Sequence, residues 1–265
     1  MDDFKEAFSH FNVYDFLNPI ISGFYMIAGM FLIIGPDYWK KLLQGWDEYL
    51  KNDLINAALL LTAAYLTGIA LEWVSHILFS SRRRKLIENC LLKPNQEAEN
   101  GQVVGTQRSV RMQSAFKKCF PDRLEINSLK YRLYINDADK VIKSKTGENY
   151  NPGNSEHNTY YMAYCEYTNQ IRGISAKTEI LREVWGLSRE LCIASFLMFL
   201  LLLFRIGLSW GGIRFQYEYN PWIMLIIFGG LAIVFLLRAD LALRNRLQMV
   251  LALHHASTRL FEEEK

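Results

Sequence analysis

The 265-residue chain is short of most of what catalysis and secretion require. It has four cysteines, none in a CxxC pair and none at His/Cys metal-ligand spacing, so no zinc or redox motif is present. Cys90, Cys119 and Cys165 lie in polar sequence and Cys192 at the edge of an apolar run, as expected of reduced cytosolic thiols. No phosphate loop and no glycine fingerprint occurs. The five histidines, His10, His76, His157, His254 and His255, have no carboxylate or nucleophile beside them in a known catalytic arrangement. The expectation is a protein that is not an enzyme and carries no cofactor and no metal. Met1–Asp15 sets Asp2, Asp3, Glu6 and Asp15 against Lys5, which is not the basic start of a signal peptide. The first apolar segment is therefore expected to stay in the mature chain.

Charge is also missing, and its absence is positional. Phe16–Pro36, Ile55–Leu71, Leu191–Phe204 and Asn220–Leu237 contain none. About 20 apolar residues cross a bilayer as a helix. Four such runs, flanked by aromatics and charges, predict four transmembrane helices; the soluble alternative is four fully buried helices. The fold class expected is a mainly α polytopic membrane protein with both termini cytosolic and a small basic α(+β) insertion between spans two and three.

In chain order the expected parts are an interfacial segment over 1–15, spans one and two over 16–79 with an outer amphipathic loop at 36–53, and a cytosolic insertion over 80–188. Spans three and four follow over 189–238, then a C-terminal cytosolic helix over 239–265. Asn18-Pro19 falls where a first helical turn tolerates proline. Gly23 and Gly29, with Ser22 and Ala28, offer small surfaces for helix packing. Span two ends in Arg82, Arg83, Arg84 and Lys85, a strong marker of the inner side. The outer loops hold only Lys40, Lys41, Lys51 and Arg214. Residues 80–188 carry 18 Lys/Arg and 12 Asp/Glu, a net of +6.

Within the insertion, Pro94–Thr106 reads as a loop and Val110–Phe120 as a short basic helix. Leu129–Ile135 alternates as a strand candidate, and Asp137–Asn158 reads as a loop or disordered tip. Tyr160, Tyr164, Tyr167, Ile171, Ile174, Leu181 and Trp185 then recur at helical spacing. They predict one long helix from Tyr160 into the third span at Trp210, with Gly173 either a hinge or a close-packing position. The C-terminal helix, with Leu243, Leu247, Val250 and Leu251, is expected to run antiparallel beside it. The tyrosine stripe is either an oligomer seam or a cover for the insertion, and is the expected coupling element between cytosol and membrane.

Ionisable residues inside spans are costly and mark candidate pores or gates. Glu72 and His76 lie one turn apart on span two, with Arg182, Arg189 or His76 as the partner of Glu72; they line a polar path or form a structural ion pair. Arg205, near the outer end of span three, is expected to snorkel to the interface. The cluster Arg82, Arg83, Arg84 and Lys85, with Arg108, Arg111, Lys117 and Lys118, has two readings. One is attraction to anionic lipid; the other is a site for an anionic ligand such as a nucleotide or oligonucleotide.

The four-span layout, the basic insertion after Arg82–Lys85 and the helix running into the third span resemble the small four-helix membrane effectors of bacterial anti-phage systems, such as the Hailong membrane effector. The resemblance is one of pattern over the whole chain, with no motif that transfers a residue's role. It implies an inner-membrane, homo-oligomeric channel or membrane-disrupting effector. Its partners would be the bilayer, further copies of itself, and a cytosolic signalling protein or its nucleotide-derived product. The alternative is a non-conducting anchor that recruits a cytosolic partner.

Overall fold

The computed structural model describes residues 13–35, 53–91, 124, 126, 128–211 and 219–263. Among these it holds six helices and no strand: α1 Val13–Ile34, α2 Asp53–Glu88, α3 Ser128–Thr146, α4 Ser155–Ile171, α5 Ala176–Trp210 and α6 Pro221–Glu263. Helices α1, α2, α5 and α6 are long and apolar enough to cross a membrane. The outer amphipathic loop, the Pro94–Thr106 loop, the Val110–Phe120 helix and Arg214 lie outside the described residues.

The chain divides into two compact units, the first comprising Met1–Leu78 and Glu183–Ala239 and the second Phe79–Arg182 and Asp240–Lys265. Helices α2, α5 and α6 each contribute residues to both.

In the first unit, small residues set the helix approach. A Cβ added to Gly23 would stand 1.7 Å from the Ala64 carbonyl oxygen, and one added to Gly68 would stand 1.8 Å from that of Pro19. The two contacts run in opposite chain directions, so α1 and α2 are antiparallel, with backbones closer than any side chain allows. Gly29 instead makes room for the Met198 side chain of α5, whereas Ala28 faces outward. Tyr25 shares a 2.8 Å hydrogen bond with Ser195, and Asn18 donates to the Glu183 carbonyl at 3.3 Å. These pairs place α1 parallel to α5. Cys192 donates to the Ala232 carbonyl at 3.4 Å, and Phe199 packs on Gly229, so α5 and α6 are antiparallel. The four helices alternate in direction, which brings the start of α1 and residues near Ala239 to the same end of this unit. Pro19 sits in the second turn of α1 rather than the first, because the helix starts at Val13. The carbonyl of Pro19 accepts the Ser22 hydroxyl at 3.2 Å.

The second unit corrects four expectations. Leu129–Ile135 is not a strand: it lies within α3, whose buried positions Tyr134, Ala138 and Ile142 recur every four residues. That period continues into Asp137–Thr146, so the supposed loop is largely helix. Only residues 147–154 turn, held by Asn158. The side chain of Asn158 is fully buried, accepts the Tyr150 hydroxyl and donates to the carbonyls of Glu88 and, at 2.9 Å, Pro152.

The single helix from Tyr160 to Trp210 is likewise two helices. After Ile171 the Gly173 and Ile174 N–H groups close onto the carbonyls of Gln170 and Asn169 at 3.0 and 3.1 Å, with Gly173 at φ +66°. This is a Schellman end, which glycine adopts without strain. The fourth correction follows from that break: α4 runs alongside α6 in the same direction, not antiparallel. Glu166 pairs with Arg246, Asn169 with Val250 and Thr168 with His254, a nearly constant offset. The core of the unit is pooled from the end of α2 (Leu86, Cys90, Leu91), α3, α4 (Tyr161, Met162, Cys165) and α6 (Leu243, Leu247, Val250, Leu251). It is larger than the insertion supplies alone, because α6 adds Leu243, Leu247, Val250 and Leu251 to it.

Candidate functional site

A polar layer crosses the first unit. Phe16 begins the apolar part of α1, and Ser22 lies about 9 Å further along the axis at ~1.5 Å per residue. Ser22 is buried and within hydrogen-bonding reach of Glu190. Glu190 is only 2% exposed, and its Oε2 has no hydrogen-bond partner among the described residues. Beside it, Arg189 stacks over Trp185 at 4.6 Å and reaches Glu72 of α2 at 4.0 Å. Asn18 donates to the Glu183 carboxylate at 3.1 Å. Three carboxylates and one guanidinium from α2 and α5 thus gather with the polar side chains of Asn18 and Ser22 from α1. The side chain of Arg189 is 7% exposed, and that of Glu72 is 50% exposed. Glu72 therefore lies on the outer surface of a single copy, with His76 exposed one turn on and Trp73 and Ile77 exposed around it.

Arg205 belongs to a different level, sixteen residues or about 24 Å along α5 from Arg189. It does not snorkel. It is 7% exposed, between buried Leu202 and Ile206, because it faces the interior of the four helices.

In the second unit the basic cluster is half consumed by carboxylates. Arg82 donates from Nε to Asp240 at 2.8 Å, and Arg244 approaches the other oxygen of Asp240 at 3.0 Å. Arg83 lies 4.0 Å from Glu166, which Arg246 holds at 2.9 Å. Arg84 and Lys85 are exposed. Arg108, Arg111, Lys117 and Lys118 lie outside the described residues. The coupling residues also divide. Trp185 is buried under Arg189, Tyr164 meets His254 edge-on at 5.5 Å, and Ile174 is half-buried at the break. Tyr160, Tyr167 and Ile171 face outward, the last two 62% and 67% exposed. The face of α4 that covers the unit is the neighbouring one: Asn158, Tyr161, Met162, Cys165 and Asn169.

Sequence spacing missed the histidine pair. His255 bonds Asp137, with the Tyr134 ring edge-on at 5.9 Å. His254 is buried, its Nδ1 2.8 Å from the Thr168 hydroxyl. Their partners lie 118 and 86 residues away, beyond any local pattern. Burial, and then the charge of Arg172, lower the His254 pKa from 6.5 to about 4. Between those values the unfolded chain takes up a proton that the folded chain refuses, so this residue makes stability fall as pH drops through the window. Thermal midpoints taken across it should decline less in His254→Gln than in the parent; parallel curves would refute this. Burial also raises the Cys90 thiol to about 12 and the Cys165 thiol higher, so both stay protonated at neutral pH. Among the described residues no cluster of three His, Cys, Asp or Glu is placed to hold a metal ion. No family model, no curated protein and no solved structure matches the chain.

Proposed function

We propose that the chain is one subunit of a homo-oligomeric channel or membrane-disrupting effector of the bacterial inner membrane, with both termini cytosolic. An anionic ligand, such as a nucleotide or oligonucleotide, or a partner protein gates it from the cytosol as part of anti-phage defence. The observation that carries this reading is the exposure of Glu72. A charge presented to lipid at membrane depth costs at least about 2.5–3.5 kcal/mol. Within one copy Arg189 covers only one side of the carboxylate, at 4.0 Å. Packing against further copies around a water-filled path removes the cost. Four spans make a pore most simply by rotational symmetry. The excess of carboxylates over guanidinium in the layer favours cations.

In proteoliposomes the protein should pass monovalent cations, and Glu72→Gln should cut the flux by about tenfold, the cost of ~1.4 kcal/mol at a conducting site. Equal flux from parent and variant would refute the role of Glu72. The coupling route is α5, whose residues belong to both units. In the basic cluster, Arg84 and Lys85 are the described cations exposed for an anionic ligand.

One observation favours the alternative, a non-conducting anchor. Tyr160, Tyr167 and Ile171 form an outward apolar stripe suited to a cytosolic partner. Under that reading the liposomes are silent and Glu72→Gln changes nothing.

A further inference from the structure

The turn that separates α4 from α5 frames a cavity of about 180 Å³ inside the second unit, against the middle of α6. We infer that this cavity is a binding site for a small zwitterion of the size of a free α-amino acid. Its occupant is independent of the anionic ligand proposed above.

The volume sets the first limit. Pockets for drug-sized ligands run to roughly 300–1,000 Å³, so this one takes a compact molecule rather than a whole nucleotide. The charge of its walls sets the second. Arg182 and Arg246 face it together with Glu166 and Glu179. Two guanidiniums balanced by two carboxylates do not select a net anion or a net cation. They suit a ligand carrying both signs, with its carboxylate on Arg182, which is exposed on α5, and its ammonium toward the carboxylates.

Asn169 supplies the independent sign of an occupant. It lines the cavity and is 1% exposed. Its Nδ2 donates to the Val250 carbonyl at 2.9 Å, which fixes the orientation of the amide. Its Oδ1 is then left buried with no hydrogen-bond partner among the described residues. Buried polar atoms without a partner are rare in native proteins and destabilise the fold. An ammonium held against the carboxylates brings the missing N–H once the amide turns toward the cavity. The helix break is what creates the space: a continuous helix through Arg172–Ser175 would leave no corner for a ligand.

Titration calorimetry on the full chain in mild detergent tests this with each proteinogenic amino acid, glycine betaine, inorganic phosphate and AMP. At least one amino acid should bind saturably. Betaine, a zwitterion with no N–H, should bind at least about tenfold more weakly, and so should the amino acid in Arg182→Gln. Arg182 is exposed, so that variant folds; Asn169→Leu, where it folds, should lose binding likewise. The inference is overturned if no amino acid gives saturable heat up to about 10 mM, an affinity below ~3 kcal/mol. It is equally overturned if phosphate or AMP binds as tightly, or if Arg182→Gln leaves affinity unchanged. Liposome flux plays no part in these readouts, so failure of the channel reading leaves the outcome interpretable.

Discussion

Asp240→Ala should be the most destabilising substitution among the charged residues of the second unit. Asp240 is nearly inaccessible and holds Arg82 at 2.8 Å and Arg244 at 3.0 Å. Removing it leaves the mostly covered guanidiniums of Arg82 and Arg244 facing each other without that carboxylate between them. Breaking a buried pair from one side costs about 3–5 kcal/mol, most of it from the stranded partner. For a chain of this size that lowers the unfolding midpoint on the order of 10 °C. The reason is electrostatic rather than steric, so Arg82→Met in the Asp240→Ala background should recover part of the loss. Thermal unfolding in detergent reads both effects. An Asp240→Ala midpoint within a degree or so of the parent would show that water already screens the pair.

Gly23→Ala and Gly68→Ala should each push α1 off α2. The added methyl meets a backbone carbonyl at 1.7 or 1.8 Å, and a backbone atom has no rotamer by which to withdraw. Overpacking a core costs about 1–3 kcal/mol when side chains can yield; here a whole helix has to move, so the cost should reach the top of that range. Gly230→Ala is the control. Nothing lies within 4 Å of its added Cβ, and alanine is favoured over glycine in a helix by about 0.8–1.0 kcal/mol. Resistance to denaturation by an ionic detergent should therefore fall in the first two variants and hold or rise in the third. Loss of all three alike would point to a general intolerance of α1, α2 and α6 rather than to the close approach.

The contrast between these two regions shows what the sequence makes legible. The four membrane-length helices are readable because hydrocarbon forbids charge, and a charge-free run needs no partner to be seen. Gly23 and Gly29 are readable for the same local reason. Depth narrows the partner of Glu72 to Arg182, Arg189 or His76, since each residue's distance from its span end fixes its level, and the structure brings Arg189 to 4.0 Å. The break after Ile171 is harder. Tyr160 through Trp185 keep their three-to-four spacing straight across it, so the pattern runs on where the backbone does not. Gly173 stands out as a candidate, but only its left-handed conformation separates a helix end from a packing site. Helix α3 was hidden by scale. Seven residues from Leu129 to Ile135 alternate by chance, while the four-residue period needs Ala138 and Ile142, which sit among lysines and asparagines. The core of the second unit was hidden by partition. Leu243, Leu247 and Leu251 read as a tail to span four, yet they fill the same core as Tyr161 and Cys165. Arg244 stands only four residues from Asp240, but Arg82–Asp240 and Arg246–Glu166 join residues 158 and 80 positions apart, and no spacing rule reaches that far.

The proposed channel rests on the half-exposed Glu72 carboxylate of the membrane-length helix α2. The mass of the protein in mild detergent, by native mass spectrometry, tests it most directly. The account predicts one closed assembly of several 30.9 kDa chains, with Glu72→Gln altering conduction without changing the count. A single 30.9 kDa species across the accessible concentration range would contradict it.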